Sequence, residues 1–247
     1  MADQRKTALI TGAGQNIGRA CALVLADAGF NIVINGRRKQ EPCEAVAKEC
    51  QAKGVDALVV MGDVGSGPAC KALAEAGTSK FGRVDVLVHN AAIRPEKPFL
   101  EMEEAEWHEV LNVNMNASFW LARACLPGMV EAGWGRIINF AGMNAMHVYN
   151  GRAHVSTSKH GNWGLTKSLA KEFGPKGITV NLISPGPIKS EHDDPAMTRH
   201  INEQASRIPV GRLGEPSEIA TVVSMLVSDG GAFVNGQMLQ VNGGTQT

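Results

Sequence analysis

The amino-acid sequence predicts an α/β protein, a single domain over 1–247 built on a doubly wound parallel seven-stranded sheet with helices on both faces. Three observations lead there. Short apolar runs alternate with longer helical stretches along the whole chain, the signature of right-handed strand–helix–strand units. The runs are mainly apolar, which implies a parallel sheet covered on both faces. No linker or shift of composition divides the 247 residues, which suffice for one large core.

In chain order, Ala8-Leu9-Ile10 is the first strand, and a glycine-bearing turn leads from it into a helical stretch beginning Ile17-Gly18-Arg19. Asn31-Ile32-Val33-Ile34-Asn35 is the second strand, followed by a helix that runs to about Lys53 and stops at Gly54. Ala57–Met61 is the third strand, with a helix near 67–80 after it, and Val84–Val88 is the fourth. A long helix over 103–131 ends at Gly133 and Gly135, before the fifth strand, Arg136–Phe140. A helix over 153–173, stopped by Gly174-Pro175, precedes the sixth strand, Thr179–Ile183. The stretch 190–208 is polar and charged. A helix over Glu215–Val227 and a last strand, Met238–Val241, complete the order.

Composition narrows the function classes. With zero net charge the chain offers no basic surface for nucleic acid or an anionic membrane. No apolar run approaches a membrane span, and Met1–Lys6 reads straight into the first strand without signal-peptide anatomy. Five scattered cysteines with no C-x-x-C pair point to reduced thiols and a cytoplasmic setting.

The chemistry centres on Thr11–Gly18. A strand, a glycine turn and a helix N-terminus place free N–H groups and the positive end of a helix dipole before an anion. The spacing, Gly12-x-Gly14-x-x-x-Gly18, differs from the commonest dinucleotide fingerprint. A second signal follows the second strand, where an acid would accept from the ribose 2′-OH of NAD. Gly36-Arg37-Arg38 stands there instead, and a guanidinium suits a 2′-phosphate. NADP(H) is therefore expected ahead of NAD(H), with Arg37 as the main clamp and Arg38 in support.

Taken together the motifs resemble those of the short-chain dehydrogenase/reductase family, over nearly the whole chain. Thr11-Gly12-Ala13-Gly14-Gln15-Asn16-Ile17-Gly18 resembles its T-G-x-x-x-G-x-G turn, with Asn16, the residue that best tolerates positive φ after glycine, in the middle glycine's place. Asp63-Val64 matches the adenine-side pair, and Asn90-Ala91-Ala92 stands where N-A-G is usual. Asn112-Val113-Asn114, Pro185-Gly186 and Val241-Asn242-Gly243-Gly244 match further family signatures. The resemblance, nearest to the 3-oxoacyl-reductase-like branch, implies a Rossmann-type fold and a homotetramer or homodimer acting on a small-molecule substrate. It also implies a cofactor held by Gly12, Gly14, Gln15, Asn16, Ile17, Gly18, Asp63, Val64, Asn90, Ala91, Pro185, Gly186, Ile188 and Lys159.

The catalytic stretch departs from the family. Asn114 and Lys159 match the family's Asn and Lys, but its Tyr position, four residues before Lys159, holds Val155, and its Ser position holds Gly142. The chain's one tyrosine, Tyr149, lies ahead of the helix. His147 and Tyr149 are the candidate replacement proton donors, Asn144 a candidate oxyanion donor, and Gly142, Asn144, His147 and Val155 the candidate substrate lining. His154 is expected to meet solvent or a subunit neighbour, and His89 to pack beside the adenosine half of the site. His192-Asp193-Asp194 with His200 reads as a solvated flap, the substrate lid over 190–208, and no metal is expected.

Three functions compete. The first is an NADP(H)-dependent oxidoreductase acting on a small carbonyl/alcohol or imine/amine pair with a non-standard proton donor. The second is a nucleotide-binding regulatory or structural subunit with impaired catalysis. The third is a non-redox lyase or hydrolase on the same scaffold.

Overall fold

The computed structural model describes residues 5–143, 148–190 and 205–246. Its strands are β1 (Thr7–Ile10), β2 (Asn31–Gly36), β3 (Ala57–Met61), β4 (Val86–His89), β5 (Gly135–Phe140), β6 (Ile178–Pro185) and β7 (Met238–Val241). Its helices are α1 (Asn16–Asp27), α2 (Gln40–Ala52), α3 (Gly67–Phe81), α4 (Glu104–Leu111), α5 (Ala117–Ala132), α6 (Ala153–Phe173) and α7 (Pro216–Val227). The strands form one sheet in the order β3-β2-β1-β4-β5-β6-β7, every pair parallel. The strand order reverses between β1 and β4, and in such sheets that reversal opens a crevice at the strands' C-terminal ends.

Alternation along each strand divides the interior in two. Ala8, Ile10, Ile32, Ile34, Val86, Val88, Ile138 and Ile183 face α1, α2 and α7, where Leu25, Val46 and Val223 meet them. Leu9, Val33, Leu87, Ile137 and Val180 point the other way, onto Leu73 of α3 and Leu121 and Met129 of α5. Because both faces are covered, apolar side chains stand on both sides of the central strands rather than at every second position only. The five cysteines are buried free thiols, used as small hydrophobes.

The long helix expected over 103–131 is interrupted. Asn112–Asn116 forms a π-helical turn between α4 and α5. Its cause is visible in the hydrogen bonds of Asn114, whose carboxamide accepts from Ile93 N and donates to Ile93 O, both at 2.9 Å. Those two bonds pull the turn toward the chain leaving β4, at the cost of regular α-helical spacing.

No helix among the described residues is long and apolar enough to cross a membrane. His192, Asp193, Asp194, His200 and most of the 190–208 segment lie outside the described residues, as do Asn144 and His147.

Candidate active site

The glycine turn leaves β1 and is tied to the end of β4. Thr11 Oγ1 accepts from Asn90 N at 3.1 Å and Ala91 N at 3.0 Å. Asn90 Nδ2 returns the contact, donating to Thr11 O at 3.1 Å and Gly12 O at 3.0 Å. The Asn90 side chain thus holds the turn itself. Gly18 has no alternative, because a Cβ there would sit 2.1 Å from Gly12 O. Asn16 takes φ +50°, as expected of an asparagine in a glycine's place.

Gln15 stands at the N-cap of α1 without capping it by its side chain, and no acidic residue occupies the first turn. The positive end of α1 therefore opens toward the crevice, which fits a phosphate-bearing dinucleotide. Ile17 packs on the first core layer and Val64 lies in the second. Gly14 is close to α2, where a Cβ would meet Cys43 Sγ at 3.0 Å. Pro185 ends β6, Gly186 N donates to Val241 O at 3.0 Å, and Ile188 bridges to Gly214. The residues matched to cofactor motifs thus come from the C-terminal ends of β1, β2, β3, β4 and β6.

Arg37 is already engaged. Its Nε lies 2.9 Å from Asp63 Oδ2 and its Nη2 lies 3.3 Å from Glu109 Oε1. Asp63 also accepts from Gly65 N at 2.9 Å through its other oxygen. Both ion pairs are partly exposed, so a phosphate can displace them at small cost. Arg38 is exposed.

At the other side of the crevice, Lys159 is 4 % exposed and its Nζ donates to Phe140 O, the end of β5, at 2.9 Å. Burial, reinforced by the charge of Arg94, pushes its pKa down to about 7. Both donors of the Asn114 carboxamide are used, since Nδ2 also reaches Ser158 Oγ at 3.2 Å. The Asn114 backbone carbonyl accepts from Asn162 Nδ2 at 2.6 Å. Ser158 Oγ donates to Val155 O at 2.7 Å, so this serine locks the helix and is not a free hydroxyl in the cleft.

Val155, one turn before Lys159, is fully buried. Gly142 takes φ +91°, with open space where a Cβ would stand. Tyr149 is 46 % exposed in the turn ahead of α6, and among the described residues no hydrogen bond joins it to Lys159 or Asn114.

Two histidines depart from expectation. His154 does not meet solvent: it is wholly buried, and among the described residues neither ring nitrogen is hydrogen-bonded. The first turn of α6 packs toward α4, which covers it; burial pushes its pKa down, and the charge of Glu106 opposes the shift. His89 sits between the glycine turn and the π turn, not merely beside an adenosine site. Its Nδ1 is 3.2 Å from Thr11 Oγ1. That hydroxyl already accepts two backbone N–H groups, so its proton goes to Nδ1 and the ring carries its own proton on Nε2. Burial, then the charge of Lys159, holds the His89 pKa down at about 3. The carbonyls of Asn114 and Val113 pull the other way, without a well-formed hydrogen bond to Nε2.

One residue was missed from the sequence. Arg94, two residues past Ala92 and exposed, is a charged group that bears on Lys159. Its only signal was its place just after the motif at the end of β4.

These geometries agree with the comparisons to known proteins. A family model described as enoyl-(acyl carrier protein) reductase matches residues 12–246. The 3-oxoacyl-[acyl-carrier-protein] reductase FabG of Staphylococcus aureus is 38 % identical over 240 residues, 97 % of either chain. Nodulation protein G of Azospirillum brasilense is 37 % identical over 245 residues, 97 % of this chain and 98 % of its own. The crystal structure of acetoin dehydrogenase YohF from Salmonella typhimurium matches with a TM-score of 0.91 at 32 % identity, over 98 % of this chain and 96 % of that one. By sequence match, sheet order and motif positions alike, the chain belongs to the short-chain dehydrogenase/reductase family.

Proposed function

We propose that the protein is an NADP(H)-dependent oxidoreductase that interconverts a small carbonyl compound and its alcohol, or an imine and its amine, with Lys159 as the proton-transferring group. The observation that carries this reading is the buried Lys159 amine, anchored on Phe140 O with a pKa near 7. A general acid works best when its pKa lies near the working pH. When bound, a nicotinamide dinucleotide supplies the hydride. The chain's own part is to hold that nucleotide on the α1 N-terminus, position the substrate oxygen near Lys159 and deliver a proton to it. The N–H bond of the ammonium breaks as the O–H bond forms, and solvent restores the proton. Val155 offers only hydrocarbon and Gly142 only backbone, so the hydroxyls usual in the family are not supplied at these positions.

Arg37 and Arg38 support the choice of NADP(H). The end of β2 has no room for an acid, because a Cβ on Gly36 would lie 2.5 Å from Cys43 Sγ. Replacing Arg37 by Gln is expected to weaken NADPH binding by about tenfold or more while leaving NADH nearly unchanged, as read by titration of nicotinamide fluorescence. Equal losses for both nucleotides would remove Arg37 from the 2′-phosphate site.

The direct test follows NADPH absorbance against ketones, diketones, aldehydes and cyclic imines. Turnover that falls with rising pH above about 7 is expected. The departures at Val155 and Gly142 favour one second reading, a nucleotide-binding subunit without turnover. NADPH binding with no substrate consumed across the panel would select it.

A soluble, cytoplasmic homotetramer or homodimer goes with the same reading. Phe119 on α5 and Phe233 ahead of β7 are 45 % and 102 % exposed in the single chain, which suits burial between copies. Light scattering giving a monomer mass would refute this.

A further inference from the structure

Cys43 stands where α2 meets the glycine turn, and its sulfur is wedged between two glycines. A Cβ on Gly14, in the turn, would lie 3.0 Å from Sγ, and a Cβ on Gly36, at the end of β2, would lie 2.5 Å from it. The second distance is closer than packed atoms come. Cys43 is 1 % exposed and belongs to the core layer with Val46 and Ala47 of the same helix. Its thiol points at Lys39 O, 3.6 Å away.

Gly36 is a glycine for want of space and not for its backbone. Its φ lies outside the positive region that favours glycine, unlike that of Gly12 at +61°. Nor is the strand end free to move away from α2. Asn35 O accepts from Ala13 N, and Gly36 O accepts from Gly62 N, both at 2.9 Å. Asn35 Nδ2 adds bonds to Val60 O and Gly62 O, both at 3.1 Å. The end of β2 is thus fixed between the glycine turn and β3. Without the sulfur, the nearest atoms to a Cβ on Gly36 would be Met61 Cε at 3.3 Å and Sδ at 3.4 Å, the tip of a flexible side chain. Cys43 Sγ therefore decides whether this position can carry a side chain.

We infer that Cys43 is a specificity-determining residue for the nucleotide, whose thiol keeps an acid from standing at the end of β2. A carboxylate there would accept from the ribose 2′-OH of NAD(H) and repel the 2′-phosphate of NADP(H). With the sulfur in place neither happens. The inference rests on the NADP(H) reading of the site and names the atom that enforces it.

The test is a double-mutant cycle with two readouts: melting temperature, and titration of nicotinamide fluorescence with NADPH and with NADH. Gly36→Ala adds one methyl group. In the parent chain it should lower the melting temperature by about 3 °C or more, through overpacking. In Cys43→Ala the same change should leave it level or raise it, as glycine-to-alanine changes do where the backbone permits. Gly36→Asp alone should gain no affinity for NADH. Gly36→Asp combined with Cys43→Ala should bind NADH about tenfold more tightly than Cys43→Ala does, and NADPH about tenfold more weakly. Gly36→Ala and the double variant carry the test even where Gly36→Asp alone does not fold. Equal melting losses for Gly36→Ala in both backgrounds would overturn the inference. So would a gain of NADH binding in Gly36→Asp alone, or no gain in a folded double variant. Failure of the underlying reading looks different. A parent chain that prefers NADH, with both cycles as expected, would end the NADP(H) reading and leave Cys43 as the residue that excludes the acid.

Discussion

Gly142 illustrates how a single residue decides what the site can hold. Its φ of +91° belongs to the region that side chains avoid, although the space beside it is open. A serine there would meet no atom and would still carry backbone strain. Gly142→Ser is therefore expected to lower stability by about 1–3 kcal/mol in urea unfolding. A neutral result would mean that the backbone relaxes, and that a hydroxyl can be restored at no cost. Val155 is the opposite case, with ordinary helical backbone and a side chain that is fully buried. The sequence made both substitutions legible. It could not show that one site is closed by conformation and the other by packing.

The residue scale is also where a motif leaves contacts unread. Asn90 was read from its motif as a cofactor residue, and the fold adds that its amide holds the glycine turn. Arg37 was read as the main phosphate clamp, and the fold adds that Asp63 and Glu109 pair with it. Glu109 is distant from Arg37 in sequence and carries no motif, so only the folded chain could bring the two together. His154 follows the same logic, since its burial depends on how α6 meets α4.

At the scale of elements, strand and helix positions followed closely from where apolar runs met glycines. The discontinuity between α4 and α5 did not, because a helix-compatible sequence runs straight through it. The π turn owes its existence to a tertiary bond from Asn114 to Ile93, which local propensity does not register. Asn114→Ala would leave both backbone groups of Ile93 without these partners. The expected cost is about 2–3 kcal/mol, measured by chemical denaturation. Loss of the anchor should also disturb Arg94, its next neighbour. If Asn114→Ala unfolds like the parent chain, the turn is set by something other than this amide.

Across the whole molecule, the sheet gathers chemistry at one edge because parallel strands all end there. Stability is traded against function at that edge. Lys159 is buried among neutral and positive groups, and its pKa in the folded chain is about 7 against an ordinary value of 10.5. Between those values the unfolded chain binds more protons than the folded one, so stability rises with pH through about 7 to 10. Below about 7 both forms are protonated and the full penalty for burying the ammonium remains. Lys159→Met should therefore raise the melting temperature below pH 7 and flatten its dependence on pH up to about 10. A melting temperature that falls instead would mean that the amine stabilises the fold.

The same amine offers the sharpest measurement of function: the pH dependence of kcat/KM for NADPH oxidation, with the best carbonyl or imine acceptor found in the panel. With Lys159 giving the proton, the rate should be level below about pH 7 and fall about tenfold per pH unit above it. A profile flat from about pH 6 to pH 9 would contradict Lys159 as the donor and move the search to other groups of the loop after β5.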